Sequence, residues 1–422
     1  MSLTLTTADE VLKEDYKGPV REQLNNNTFL LTQVASNTED VVGRHAVVPL
    51  HTKRTTGVGA RAEGGTLPTA GSQGYKDVRV PLRRNYGRIQ ISGPVIQAMS
   101  TDRGAFIRAI ESEMDGLKSD LSRDVNRQLH GTSNGVIAQA GTTGGSTTLV
   151  LASTTTETQL RQAFNDGGMN ISIGSVASPA SVIASTTVTD VDFDNKTLTV
   201  SDSVTTNSSH FIFRAGNGGA SDNSGSPGGA DGQLELTGLQ SIVDDTADIQ
   251  TIDTSAVPTW KSAIFDNGGT NRAISENLIN RAIQRTEISS GEQISLLLSG
   301  DAVNRAAASL LTATRRNVDN VDLEAGYAGI KWTALGEGQR RQGTGTVLVW
   351  DQDCVENTMF GLCTDKLVQY VGSDWDWMDN DGAVLSRVSN QDAYEATMFK
   401  YHELATTKRN AHFRIDDISH VD

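Results

Sequence analysis

Residues 102–130, DRGAFIRAIESEMDGLKSDLSRDVNRQLH, place apolar side chains at Ile107, Ile110, Met114, Leu117, Leu121, Val125 and Leu129. Intervals of three and four put all seven on one stripe of an α-helix. Charged residues, among them Arg108, Glu111, Lys118, Asp120, Arg123, Asp124 and Arg127, take the other faces. Ser100 or Thr101 is the expected cap and Gly131 the expected stop. At 1.5 Å per residue such a helix runs about 40 Å. An ordinary core helix has the same stripe, so the flanking sequence must decide between them.

Upstream, HAVVPLHTKR and YKDVRVPLRRNYGRIQIS read as two extended strands, with alternation at Val78, Val80, Leu82 and then Ile89, Ile91. The intervening RTTGVGARAEGGTLPTAGSQG is glycine-rich and nearly devoid of large apolar residues. Residues 45–92 are therefore expected to form a long two-stranded arm. Between residues 51 and 88 it carries eight basic side chains (Lys53, Arg54, Arg61, Lys76, Arg79, Arg83, Arg84, Arg88) against Glu63 and Asp77. An isolated hairpin is marginal in water, so this one needs a surface to lie on. Residues 1–44 begin with a short amphipathic stretch (Ala8, Val11, Leu12, with Thr7 as cap), broken at Lys17-Gly18-Pro19. That face is too small for a core and is expected to dock elsewhere.

Downstream, residues 132–236 change character. Strands rich in Thr, Ser and Val (TTLVLA, MNISIGS, SVIASTTVTDV, KTLTVSD, HFIFRAG) are joined by a turn at Asp194-Asn195 and one helix in TETQLRQAFNDG. A small inserted β-barrel or sandwich is expected, closed by the low-complexity GNGGASDNSGSPGGADGQ. Residues 237–422 return to mixed structure. AISENLINRAIQRTEIS is a helix capped by Ser275, ISLLLSG a buried strand, and DAVNRAAASLLTATRR a helix from Asp301. Strands follow in TGTVLVWDQD and NTMFGLCTDKLVQYVG, and the C-terminal stretch reads as one long bent strand pair. The class is α+β.

Composition narrows the function. The chain has 422 residues, 37% hydrophobic and 5% aromatic, with 41 glycines and a net charge of −15. Residues 1–131 hold seventeen basic against fifteen acidic side chains, 132–240 three against nine, and 241–422 sixteen against twenty-seven. A protein that grips nucleic acid shows the opposite balance, so tight nucleic-acid binding is not expected. No secretory signal and no run of eighteen apolar residues occurs, so a cytoplasmic product with no membrane partner is expected. Phosphate loops, dinucleotide fingerprints and hydrolase or zinc motifs are absent. Seven histidines are scattered, and His402, Glu403 and His412 are expected on strands as ordinary side chains. Cys354 and Cys363 read as semi-buried thiols, and the run Asp374 to Gly382 as a carboxylate-rich turn out of register for calcium. No catalytic residue, cofactor or metal is expected.

An arm, a basic hairpin, a long amphipathic helix and an α+β body follow the segment order of the major capsid proteins of tailed bacteriophages, a fold shared with encapsulins and herpesvirus capsid floors. Residues 238–283 (GLQSIVDDTADIQTIDTSAVPTWKSAIFDNGGTNRAISENLINRAI, with Trp260) and 375–415 resemble that family. The resemblance covers most of the chain outside 132–236. It implies an N-terminal arm (1–44), an extended loop reaching over a neighbour (45–92) and a spine helix of the peripheral domain (93–131). The inserted β unit (132–236) departs from the minimal pattern. Residues 237–380 would give the remaining peripheral strands and the apical domain, and 381–422 the return to the peripheral sheet. It further implies an icosahedral virion shell of hexamers and pentamers, assembled in the host cytoplasm around double-stranded DNA. Scaffolding, portal and cement proteins would be its partners. Arg79, Arg83, Arg84 and Arg88 are the candidate intersubunit contacts, facing the acidic body of the adjacent subunit. An encapsulin-type compartment and a β-rich fibre or adhesin are the alternatives.

Overall fold

The computed structural model describes residues 28–43, 45–93, 103–164, 168–174, 182–217, 234–314, 320–322, 328–332, 345–379 and 384–419. The amphipathic stretch around Val11, the caps Ser100 and Thr101, and nearly all of the glycine/serine linker lie outside them. Helix accounts for 21% and strand for 42% of a mixed α+β chain.

Helix α1 (Phe29–Gln33) and strands β1 (Ala35–Asn37) and β2 (Val41–Val42) lead into β3 (His45–Lys53) and β4 (Gly74–Pro81). β3 and β4 pair antiparallel, His45 opposite Pro81 and Lys53 opposite Gly74, with β2 on the outer side of β3. The second strand read from the sequence does not run on through Ser92. It breaks at Leu82, and β5 (Arg83–Ser92) leaves the hairpin to pair with β20, described below. Pro81 explains the break, since it has no N–H to continue the ladder.

Helix α2 (Arg103–His130) follows as one continuous 28-residue element. Leu117 and Leu121 lie against β5 at Gly87, where a Cβ would sit 2.7–2.8 Å from their Cδ1 atoms. Only glycine lets helix and strand approach so closely. Towards its C-terminus the helix is buried on all sides, including Asn126, Arg127, Gln128 and His130. The stripe does not anticipate this, because it assigns Arg127 to a solvent face.

The described residues between 136 and 214 form six strands and one helix: β6 (Val136–Gln139), β7 (Thr143–Val150), α3 (Glu157–Phe164), β8 (Asn170–Gly174), β9 (Val182–Asp192), β10 (Thr197–Thr206) and β11 (Phe211–Arg214). They form one antiparallel sheet in the order β6-β11-β8-β9-β10-β7. Ala140 bridges to Leu151 across the two ends. Ile137, Leu149, Leu160, Ile171, Ile173 and Leu198 fill a separate core. The expected Asp194-Asn195 turn joins β9 to β10, and Asp192 accepts hydrogen bonds from both the backbone N–H and the side-chain amide of Asn195.

The remainder builds two sheets. Helix α4 (Leu239–Ile242) precedes β12 (Ala263–Phe265), α5 (Glu276–Ser290), β13 (Leu296–Ser299), α6 (Asp301–Thr314), β14 (Asn320–Asp322), β15 (Ala328–Trp332), β16 (Thr346–Trp350) and β17 (Met359–Leu362). Then come β18 (Leu367–Trp377), β19 (Ser386–Arg387), β20 (Ala393–Thr406) and β21 (Phe413–Ile415). The seven-stranded sheet has the order β12-β21-β17-β13-β16-β15-β14, with β13 and β16 parallel at its centre. Leu296 and Leu298 join one core and Leu297 another, so this strand is apolar without alternation. As expected, Ser275 caps α5, accepting the Leu278 N–H at 3.3 Å, and Gly291 ends it at φ 75°.

The other sheet runs β1-β18-β20-β19, with β5 along the opposite edge of β20. The C-terminal stretch is thus no single strand pair. β20 belongs to this sheet, whereas β21 crosses to the seven-stranded one, between β12 and β17. The acidic run is not a turn at its start either, because Asp374 and Asp376 lie within β18. Arg409, on the connection from β20 to β21, pins the segment before β12. It is fully buried and donates to the carbonyls of Ser241, Ile242, Ala247 and Trp260 and to Thr254 Oγ1. Among the described residues no helix is long and apolar enough to cross a membrane.

Candidate intersubunit surface

The hairpin β3–β4 rests on a segment of its own chain. The Arg79 N–H donates to Gln250 O and Thr251 Oγ1, both at 3.3 Å, and Thr259 Oγ1 donates to Thr52 O at 3.2 Å. Beyond Lys53 and Gly74 the tip contains no regular element and holds itself together locally. Gln73 Oε1 accepts from the Thr55 N–H and pairs with His51 Nε2, while Arg61 Nε donates to Thr66 O. Val58 and Leu67 are each 80% exposed at this tip. Two bare apolar side chains on a basic, glycine-rich finger are what a docking element offers to a partner.

The four candidate arginines do not share one fate. Arg83 is buried, and its Nε lies 3.1 Å from Glu403 Oε2 on β20. Its guanidinium is committed within the chain, which corrects the expectation that it faces a neighbour. The cause is the pleat of β5: Arg83, Asn85 and Gly87 point towards α2, and Arg84, Tyr86 and Arg88 point outward. Arg88 reaches Glu395 at 3.3 Å and stays 63% exposed, so the pair is weak. Arg79 and Arg84 are exposed and meet no carboxylate among the described residues.

Sequence reasoning missed the aromatic residues beside Arg84 and Arg88. Tyr86 stands between them, half-exposed, opposite Phe399 in the ladder. Its ring meets Tyr401 edge-on at 6.3 Å, and Tyr401 meets Phe399 at 5.0 Å. Burial and the Tyr401 hydroxyl push the Tyr86 hydroxyl up, against the pull of Arg84. Arginine and tyrosine on one open sheet face have the composition of an interface centre. The signal lay in the sequence as Arg-x-Tyr-x-Arg at a period of two.

A groove of about 840 Å³ is lined by Leu82, Tyr86, Leu117, Leu121, Arg214 and Leu234. An ion network closes its end. Asp124 accepts from Arg127 Nε (3.0 Å), Arg214 Nη1 (2.8 Å) and Gln128 Nε2 (2.8 Å), while Glu235 accepts from Arg127 and from Asn217. Burial alone would raise the Asp124 carboxyl, but Arg127 and Arg214 outweigh it and hold it at about 2.

His412 and both cysteines are packed inside the fold. His412 accepts from the Cys363 N–H and pairs with Thr406 Oγ1, and burial lowers it to about 3. Cys354 and Cys363 are buried free thiols. Among the described residues no group of three or more His, Cys, Asp or Glu side chains is placed to hold a metal ion.

No protein-family model and no curated protein matches this chain. Solved structures do. A chain of the cyanophage A-1(L) capsid asymmetric unit superposes with a TM-score of 0.55 at 15% identity, covering 99% of each chain. The capsid of a native GTA particle (TM-score 0.49, 10% identity) and the holo-SrpI encapsulin of Synechococcus elongatus PCC 7942 (0.46, 8%) cover 98–100% of either chain, but at these scores they add nothing to the assignment. From end to end the chain has the fold of the cyanophage capsid chain.

Proposed function

We propose that this chain is the major capsid protein of a tailed bacteriophage, a structural subunit that assembles with copies of itself into an icosahedral shell around double-stranded DNA. The observation that carries this reading is the likeness over 99% of both chains to a capsid chain, with no large segment left over for another activity. The hairpin supports it independently, because Val58 and Leu67 at its basic tip are left bare by the described residues of the chain.

In this reading α2 is the spine helix, and with β1, β5, β18, β19 and β20 it forms the peripheral domain. The seven-stranded sheet with α5 and α6 is the apical domain. Residues 132–236 are an inserted small barrel, closed by the Ala140–Leu151 bridge. The extended loop ends at Pro81, where β4 ends, and residues 1–44 are the arm, whose β1 joins the peripheral sheet. Arg79, Arg84 and Arg88 contact acidic residues of the adjacent subunit. Hexamers and pentamers would form in the host cytoplasm with scaffolding, portal and cement proteins as partners. The net charge of −15 suits a wall that encloses DNA without gripping it.

Sedimentation of the chain, expressed alone and together with a candidate scaffolding protein, tests this. Megadalton particles are the expected result. Small compact oligomers under both conditions would overturn it.

A further inference from the structure

The C-terminal end of α2 holds a buried polar cluster that neither the hairpin nor the sheet faces use. His130 Nδ1 lies 2.9 Å from the Asn126 carbonyl oxygen. A carbonyl only accepts, so Nδ1 carries hydrogen, and in the neutral ring Nε2 is then a bare lone pair. That Nε2 is buried, lacks a hydrogen-bond partner and faces Asp351 Oδ2 at 3.6 Å. A lone pair turned towards a carboxylate oxygen is repulsive unless one of the two bears a proton.

Asp353 completes the cluster. Asn126 Nδ2 donates to Asp353 Oδ2 at 2.8 Å and lies 3.4 and 3.5 Å from the two oxygens of Asp351. The Asp353 N–H also donates to Asp351 Oδ1 at 3.0 Å. Both side chains are buried. Two carboxylates around one amide cannot both ionise out of water without cost. The amide nitrogen fills the space between them, so the particle that relieves the repulsion is a proton and not a metal ion.

We propose that His130, Asp351 and Asp353 share one proton, and that this proton clamps α1 and α3 onto the end of the long helix. The cluster's side chains reach α1 directly, and the backbone segment that carries Asp351 and Asp353 holds α3. The Leu30 N–H donates to Asp351 Oδ2 and the Leu31 N–H to Asn126 Oδ1, each at 3.3 Å. From α3, Gln162 Nε2 donates to Asp353 O, Thr158 Oγ1 to Cys354 O, and the Thr158 N–H to Glu356 Oε1.

The surrounding charges leave the proton to the cluster. Burial and Asp351 push the Asp353 carboxyl up, against His130, Asn126 and Arg123. Arg127 and Arg214 are committed to Asp124 and Glu235. Burial pushes the Cys354 thiol well up, so it stays neutral. Glu356 faces α3, and α1 offers backbone N–H groups. The Asp353 carboxyl thus holds its proton to higher pH in the fold than in the unfolded chain. Its contribution is complete below the ordinary carboxyl range and is lost as pH rises through the raised folded value.

Hydrogen exchange on the full-length chain at pH 5, 6.5 and 8, corrected for intrinsic rates, tests the clamp. Protection at Leu30, Leu31 and Thr158 is expected to fall about tenfold or more across that range, relative to Leu297 and Leu348 in the seven-stranded sheet. In Asp351→Asn, which removes the carboxylate that faces both His130 Nε2 and Asp353, the three amides are expected to be equally protected at every pH. A flat profile in the unmodified chain overturns the proposal on its own, whether or not the variant folds. A variant that keeps the original pH dependence overturns it too.

Discussion

Arg83 and Glu403 lie 320 positions apart in sequence and form a buried ion pair at 3.1 Å, one on β5 and one on β20. Glu403 Oε1 also accepts the N–H groups of Thr237 and Leu404, so the pair joins the strand after the hairpin to the chain's return from the six-stranded sheet. Burial pushes the Glu403 carboxyl up to about 7, against the opposing pull of Arg83.

Arg83→Ala should therefore destabilise the subunit by about 3–5 kcal/mol where Glu403 is ionised. A carboxyl with a raised folded pKa contributes stability that is present below about pH 4.5 and lost as pH rises through about 7. Removing the arginine raises that carboxyl further. Urea denaturation should thus show a larger loss at pH 8 than at pH 5, and an equal loss at both would count against the pair as described.

Arg79, Arg84 and Arg88 should behave in the opposite way. Their joint replacement by serine should leave the subunit's unfolding midpoint nearly unchanged, within roughly 0.5 kcal/mol per site, and abolish shells. Light scattering and circular dichroism on the same preparation separate the two effects. Shells in normal yield would remove these arginines from the interface.

Val58→Asp with Leu67→Asp tests the hairpin tip. Both side chains are already in water, so the folded subunit should lose less than about 1 kcal/mol. Assembly should fail, because a carboxylate would enter an apolar contact without a partner. Sedimentation gives the answer directly.

Arg409→Met should cost at least about 3 kcal/mol, since five acceptors, three of them in buried bonds, lose their donor at once. Burial lowers this guanidinium to about 10, against the pull of Asp244, Asp248 and Asp245. It therefore stays charged across the physiological range, and the loss should not vary between pH 6 and 8.

Much of this architecture was legible in the sequence because it rests on periodicity. The long helix follows from its three-and-four spacing, α5 from Ser275 with its apolar face, and β13 from an unbroken apolar run. What stayed hidden depends on which strand pairs with which. Val78 and Val80 alternate smoothly into Ile89 and Ile91, and nothing but Pro81 marks the exchange of partners at Leu82. The same pleat that exposes Arg84 buries Arg83, and a sequence read without its sheet cannot assign the faces. Arg127, Asn126 and His130 are likewise polar residues whose burial requires partners from Glu235 and Asp351, more than a hundred positions away.

Electron microscopy of the purified particles tests the central claim most directly. Closed polyhedral shells, in which the hairpin of residues 45–81 lies across the adjacent subunit with Val58 and Leu67 covered, are the predicted result. Preparations containing only small oligomers, or shells whose hairpins lie free in solvent, would contradict it.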